Sequence, residues 1–111
     1  MIEMTELNGL QIRVKEWTSE KGFKWSDYAA YCHLVEEVGE LGEALVVKHG
    51  ERKSGTGQIG DADHYDIEEE IGDVLFSTIA LANRFNIGLD HCLDKTFDRY
   101  DKKVKLRNKI K

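Results

Sequence analysis

Apolar residues recur every three or four positions along most of the chain, which is the spacing of one face of a helix. This pattern predicts four helices, over about residues 5–20, 27–49, 66–85 and 89–106. Ser26 or Asp27 can cap the second helix, and Asp66 with Glu69 resembles a capping box for the third. No alternating pattern of useful length indicates a strand. The predicted class is therefore all-α, a four-helix bundle.

The segment between the second and third helices has a different composition. Residues 50–65 contain four glycines and show no apolar period, so they predict a loop. The third helix is apolar nearly all round, which predicts a central position in the bundle. No repeat or change of composition marks a second domain, and we expect a single domain over residues 1–111.

Composition and charge narrow the class of partner. The net charge of −5 argues against a nucleic-acid polymer, and no apolar run approaches the roughly 18 residues of a membrane span. The first residues are charged and do not predict a signal peptide. Cys32 and Cys92 stand apart from any CxxC or Cys/His cluster, which favours a reduced, cytoplasmic setting. A chain of this length buries a small core, which makes self-association plausible.

Carboxylates are concentrated on the second and third helices. At about 100° per residue, Glu36 and Glu40 share an arc of the second helix with Glu43, and Glu37 lies between that arc and the apolar face. On the third helix, Glu70 projects nearly in the direction of apolar residues. A carboxylate on a buried face must be neutralised, paired or bound to a cation.

Two pairs at i,i+3 spacing follow from this pattern, Glu37 with Glu40 and Glu70 with Asp73. If the two helices pack together, four carboxylates surround one volume, an all-oxygen site that suits Mg²⁺ or Mn²⁺. Neither pair contains a histidine, which disfavours Zn²⁺ and the Glu-x-x-His pattern of di-iron bundles. Spacing alone leaves a solvated acidic face as the alternative.

The same residues resemble a family signature. "EEVGE" (36–40) followed by "EIGD" (70–73) is similar to the EExxE…ExxD motif of the MazG-like, all-α nucleoside triphosphate pyrophosphohydrolases, although the loop between the halves is long for the family. The resemblance implies Mg²⁺-dependent hydrolysis of (deoxy)nucleoside triphosphates, with Mn²⁺ as an alternative ion, to the monophosphate and pyrophosphate. It implies that Glu37, Glu40, Glu70 and Asp73 bind the metal and that Glu36 orients or deprotonates the water. It also implies a homodimer or homotetramer with helices from two subunits around each site.

Substrate contacts are predicted from charge and aromatic character. Basic residues should stabilise the leaving phosphates. The candidates are Lys48, Lys95, Arg99 and Lys102, with Arg52 and Lys53 on the loop as weaker ones. For the base, Trp25 lies in a turn and is the candidate for stacking, whereas Trp17 fits the core face of the first helix. His33 is interpreted as a packed helix residue.

Three other functions are alternatives to nucleoside triphosphate hydrolysis. An EF-hand beginning at Asp61 is rejected, because Tyr65, Asp66 and Gly72 stand where a ligand, a glycine and a bidentate glutamate are needed. Asp61, Asp63 and His64 are then loop and capping residues. A non-enzymatic helical interaction module with a solvated acidic face remains open. So does a phosphoribosyl-ATP pyrophosphohydrolase, which shares the metal chemistry and the fold.

Overall fold

The computed structural model describes residues 5–50 and 63–110, and every regular element within them is a helix. The helices are α1 (Glu6–Glu20), α2 (Asp27–Lys48), α3 (Ile67–Arg84) and α4 (Leu89–Ile110). The all-α prediction is confirmed. The fourth helix runs beyond the predicted end at residue 106, as far as Ile110. Basic residues in its last turn are favourable at the negative end of the helix dipole.

The predicted caps form at the starts of α2 and α3. The Ser26 hydroxyl accepts a hydrogen bond from the Ala29 amide at 3.1 Å. The Asp66 carboxylate accepts one from the Glu69 amide at 3.2 Å. Each satisfies an amide that the first turn of a helix leaves without a partner. Of the loop predicted over residues 50–65, residues 63–65 are non-helical, whereas Arg52, Lys53 and Asp61 lie outside the described residues.

Helix α3 lies at the centre of the packing. It contacts α2 along an extended interface and also packs against α1, while α4 contacts α1. The predicted central position is confirmed, but its apolar surface is only partly covered. Ile79 is buried, whereas Ile71 and Leu75 are about half exposed. The buried apolar residues among those described are Val14, Ala30, Ala44, Ile79 and Ala82.

A buried glutamine joins three of the helices. The side-chain amide nitrogen of Gln11 on α1 donates to the side-chain oxygen of Asn83 at 3.1 Å and to the backbone carbonyl of Ile87 at 2.8 Å. The side-chain oxygen of Gln11 accepts from the Leu89 backbone amide at 2.9 Å. A buried amide with its hydrogen bonds satisfied fixes the direction of the chain around it. Gln11 therefore ties α4 to α1 and to the end of α3.

Most of α4 extends away from this contact. Four apolar residues share one face of α4, and we call them the α4 stripe: Leu93, Phe97, Tyr100 and Val104. Their exposed fractions run from 47% to 61%. Within the part of one chain that the structure describes, the stripe is therefore a largely uncovered apolar surface. None of the described helices is long and apolar enough to cross a membrane.

Candidate metal centre

The two helices with the extended contact bring the acidic pairs together. One oxygen from each of Glu37, Glu40, Glu70 and Asp73 lies within 4.8 Å of the others. Helix α2 supplies the first two residues and α3 the last two. We call these four residues the carboxylate cluster.

Two oxygens of the cluster are buried and have no hydrogen-bond partner among residues 5–50 and 63–110. Glu70 is 2% exposed, and the Glu37 side chain is 13% exposed. Oε2 of each has no partner among the described residues. A buried carboxylate oxygen without a partner is costly, and a bound cation removes that cost. The donor set is all oxygen, which fits a hard divalent ion.

Electrostatic repulsion within the cluster is visible in one pKa. Burial, a hydrogen bond with Glu40 and the negative charges of Glu40, Asp73 and Glu70 raise the pKa of Glu37 from 4.5 to about 7. Without a cation, the cluster therefore favours holding a proton at Glu37 near neutral pH. A divalent cation among these oxygens would lower that pKa.

His64 lies against the cluster, which the sequence analysis did not anticipate. Its Nδ1 is 3.1 Å from Oε1 of Glu70, and its Nε2 is 3.4 Å from Oε1 of Glu40. Burial lowers the pKa of His64, but the hydrogen bond to Glu70 and the charges of Glu40, Glu70 and Glu43 outweigh it and raise the pKa above 6.5. His64 lies in the non-helical segment before α3, as predicted, but its contact with the carboxylates was not predicted. The spacing of residues along the helices does not predict this contact, because His64 lies outside them.

A second histidine connects the cluster to an aromatic side chain. His33 Nε2 is 3.3 Å from Oε1 of Glu37, one turn along α2. The Trp25 ring lies 4.6 Å from the His33 ring, between centroids. Trp25 also lines a cavity of about 160 Å³, together with Lys15 and Arg84. Trp25, the candidate for base stacking, therefore contacts His33, which in turn contacts the carboxylate of Glu37.

Trp17 packs within an aromatic group and is not isolated on the surface. Its ring stacks on Phe23, with 5.7 Å between centroids, and meets Phe76 edge-on at 5.6 Å. The side nearest these rings is covered, although 44% of the residue is exposed. These contacts are those of a packing residue.

The three basic residues predicted on α4 do not lie with the cluster among the described residues of one chain. Lys95, Arg99 and Lys102 line a groove at the start of α4, and none of the four carboxylates is among its described lining residues. Glu70 lies in the first turn of α3, whereas α4 begins beyond the far end of that helix. Lys48 and Glu36 are exposed on α2.

Comparisons with known proteins agree with this arrangement. A profile of the MazG nucleotide pyrophosphohydrolase domain matches residues 26–110. The uncharacterized protein YpjD of Bacillus subtilis (strain 168) is 34% identical over 83 residues, which are 75% of this chain and 71% of YpjD. A crystal structure of YpjD from Bacillus subtilis, a candidate pyrophosphatase, has a TM-score of 0.71 at 30% identity and covers 90% of this chain and 96% of that one. A crystal structure of the Bacillus-conserved MazG protein, a nucleotide pyrophosphohydrolase, has a TM-score of 0.68 at 30% identity. The match covers 89% of this chain and 93% of that one.

Proposed function

Because this chain belongs to the MazG nucleotide pyrophosphohydrolase family, we propose that it hydrolyses nucleoside or deoxynucleoside triphosphates with Mg²⁺ to the monophosphate and pyrophosphate. The observation that carries the proposal is the carboxylate cluster, with two buried oxygens that have no partner among the described residues. Four carboxylates repel a triphosphate, so a cation must lie between them.

In this proposal the cluster is the metal site. Glu37 and Glu40 bind from α2, and Glu70 and Asp73 bind from α3. Mg²⁺, or Mn²⁺ in its place, supplies positive charge to the phosphates and activates the attacking water. The packing of α2 on α3 holds the carboxylates in place before substrate arrives, which lowers the cost of ordering them.

The reaction needs water at the α-phosphorus. The water oxygen forms a bond to this phosphorus, and the bond to the bridging oxygen breaks as pyrophosphate leaves. Glu36, exposed beside Glu37, orients that water or takes its proton. Lys48 at the end of α2 is the candidate on the same helix to stabilise charge on the phosphates.

The nucleoside would lie toward Trp25. The contact of Trp25 with His33, and of His33 with Glu37, gives a continuous path from an aromatic ring to the metal site. A base stacked on the ring would keep the triphosphate directed at the cluster.

Two or four copies of the chain would complete the site. The α4 stripe is a continuous apolar surface that a second copy can cover. The groove of Lys95, Arg99 and Lys102 is separate from the cluster of its own chain. A homodimer or homotetramer that covers the stripe can carry these cations to the cluster of a neighbour.

A panel of nucleotides tests the proposed reaction. Each dNTP and NTP is incubated with and without Mg²⁺, and release of pyrophosphate is measured against release of orthophosphate. We expect pyrophosphate as the first product and negligible turnover without a divalent ion. Orthophosphate as the first product, or no turnover of any triphosphate, contradicts the proposal.

A variant pair ties the activity to the cluster. Asp73→Asn removes one negative oxygen of the cluster, while Asp94→Asn makes the same change on an exposed residue of α4. Only the first should abolish hydrolysis, with both variants retaining helical circular dichroism. Equal activity of the two variants counts against the metal site and favours a non-enzymatic role for the acidic face.

A further inference from the structure

The position of His64 against the carboxylate cluster has a consequence for metal choice. We propose that one ring nitrogen of His64 is a ligand of this centre beside Glu40 and Glu70, so that a borderline transition metal such as Co²⁺ or Zn²⁺ binds more tightly than it would to the carboxylates alone. This inference extends the metal centre of the proposed function. It concerns a residue outside the EExxE…ExxD motif.

The distances around His64 fit a metal as well as they fit hydrogen bonds. Two ligand atoms that each lie about 2.1 Å from one ion are about 3.0 to 3.4 Å apart, depending on the coordination angle. The two ring nitrogens of His64 lie 3.1 Å and 3.4 Å from carboxylate oxygens of Glu70 and Glu40. Ligand atoms of all three residues lie within 4.8 Å of one another. An ion can therefore enter with small movements of the side chains.

A buried oxygen at the same place independently indicates a ligand. Glu70 is 2% exposed, and its Oε2 has no hydrogen-bond partner among the described residues. His64 occupies only Oε1 of this carboxylate. The remaining oxygen is available to a cation in an environment where an unpaired charge is costly.

The second ring nitrogen has a function once the first binds a metal. A histidine that binds a metal usually donates its other N–H to a carboxylate, which fixes the ring and makes the ligand more basic. His64 contacts one carboxylate with each nitrogen, from two different helices. When one nitrogen binds the ion, the carboxylate beside the other nitrogen can accept its N–H with one oxygen and keep its second oxygen for the ion.

The nitrogen ligand changes which ion is preferred. Mg²⁺ requires oxygen ligands in nearly ideal octahedral geometry, whereas imidazole suits Zn²⁺ and the later first-row metals. A centre with His64 should therefore bind Co²⁺ and Zn²⁺ more tightly than one made of the four carboxylates alone. Mg²⁺ gains nothing from the imidazole.

Metal binding without nucleotide tests the inference directly. The metal-free full chain is titrated with Co²⁺ and with Mg²⁺ at about pH 8, where imidazole is available as a ligand, and binding is followed by calorimetry and, for Co²⁺, visible absorption. His64→Gln should weaken Co²⁺ binding by about tenfold or more, the size expected for loss of a metal contact. Its Mg²⁺ affinity should stay within about twofold of the parent chain. His91→Gln is the matched control, since His91 lies on α4, which carries none of the cluster.

A second measurement uses the unchanged chain. Zn²⁺ titration should shift the imidazole nitrogen resonances of His64 and leave those of His91 in place. The inference is overturned if His64→Gln binds Co²⁺ as tightly as His91→Gln, if it loses Mg²⁺ affinity as strongly as Co²⁺ affinity, or if the His64 resonances do not respond. None of these readouts involves turnover, so failure of the proposed reaction would be seen separately.

Discussion

The carboxylate cluster and the α4 stripe have opposite relations to solvent. Glu70, a charged residue, is 2% exposed, whereas Phe97, an aromatic residue, is 61% exposed. In most folded domains the preference is the reverse, with glutamate outside and phenylalanine inside. Both regions lie on helices with clear periodicity, so the difference does not come from secondary structure.

The contrast shows that both regions contain groups whose interactions are incomplete within the described part of a single chain. Among the described residues, two buried oxygens of the cluster have no partner, and much of the apolar area of the stripe has no cover. A bound cation would neutralise the buried oxygens, and a second apolar surface would cover the stripe. Experiments that supply or remove these two components separately therefore test the proposals one at a time.

The largest effect is expected from removing a charge of the cluster. Glu70→Gln should lower nucleotide hydrolysis by about a thousandfold, since loss of a metal-binding carboxylate removes several kcal/mol of stabilisation from the transition state. Glu68→Gln makes the same change at an exposed position of α3 and should leave the rate unchanged. Initial rates of pyrophosphate release measure both. Similar rates for the two variants would remove the cluster from the mechanism.

The next effect concerns pH and the metal-free chain. The pKa of Glu37 is about 7 when folded and 4.5 ordinarily, so the folded chain binds a proton more tightly than the unfolded chain. Glu37 therefore contributes stability fully below about pH 4.5, and the free energy of unfolding falls by up to about 3 kcal/mol as pH rises through 7. Urea unfolding in a chelator should show this fall.

Substitution of Glu37 measures how much of this fall in the free energy of unfolding is caused by its ionisation. The side chain in Glu37→Gln cannot ionise, so the free energy of unfolding of this variant should fall less with rising pH than that of the parent chain. Glu68→Gln should show the same fall as the parent chain. An identical pH dependence in all three chains would contradict the repulsion inferred within the cluster.

Adding a cation should reverse the instability of the cluster. At a free Mg²⁺ concentration about 100 times the dissociation constant, the free energy of unfolding should rise by about 2.7 kcal/mol. Asp73→Asn should lose most of this gain, and Asp94→Asn should retain it. Thermal unfolding across a Mg²⁺ series measures the gain, and an unchanged Tm in the parent chain would speak against a metal site.

The smallest effect is expected at the α4 stripe. Phe97→Glu places a charge on the surface that a second copy would cover, and loss of the buried ring costs about 2 kcal/mol of association, or roughly thirtyfold in the dissociation constant. Lys105→Glu introduces the same residue outside the stripe and should have little effect. Light scattering over a dilution series measures the mass. A parent chain that stays monomeric at all concentrations would refute the proposed assembly.

Much of the fold followed from local sequence. The i,i+3 and i,i+4 spacing of apolar residues gave all four helices, and Ser26 and Asp66 cap as predicted. The acidic pairs were also readable, since residues three apart on a helix share a face. These features depend on contacts within one or two turns.

Other features required tertiary contacts. The approach of His64 to Glu40 and Glu70 crosses helix boundaries and follows no period. Gln11 looks like an ordinary polar helix residue, yet its side chain is buried among backbone groups of a distant turn. Ile71 and Leu75 on α3 are each about half exposed, although a central helix was expected to be covered.

The sequence by itself determined four helices and the two acidic pairs, because helical hydrogen bonds and side-chain directions are set by residues a few positions apart. Only the tertiary structure decided that Phe97 is exposed and that a histidine joins the carboxylates. Burial depends on where helices cross, and crossing is set by the summed packing of surfaces that are far apart in the chain.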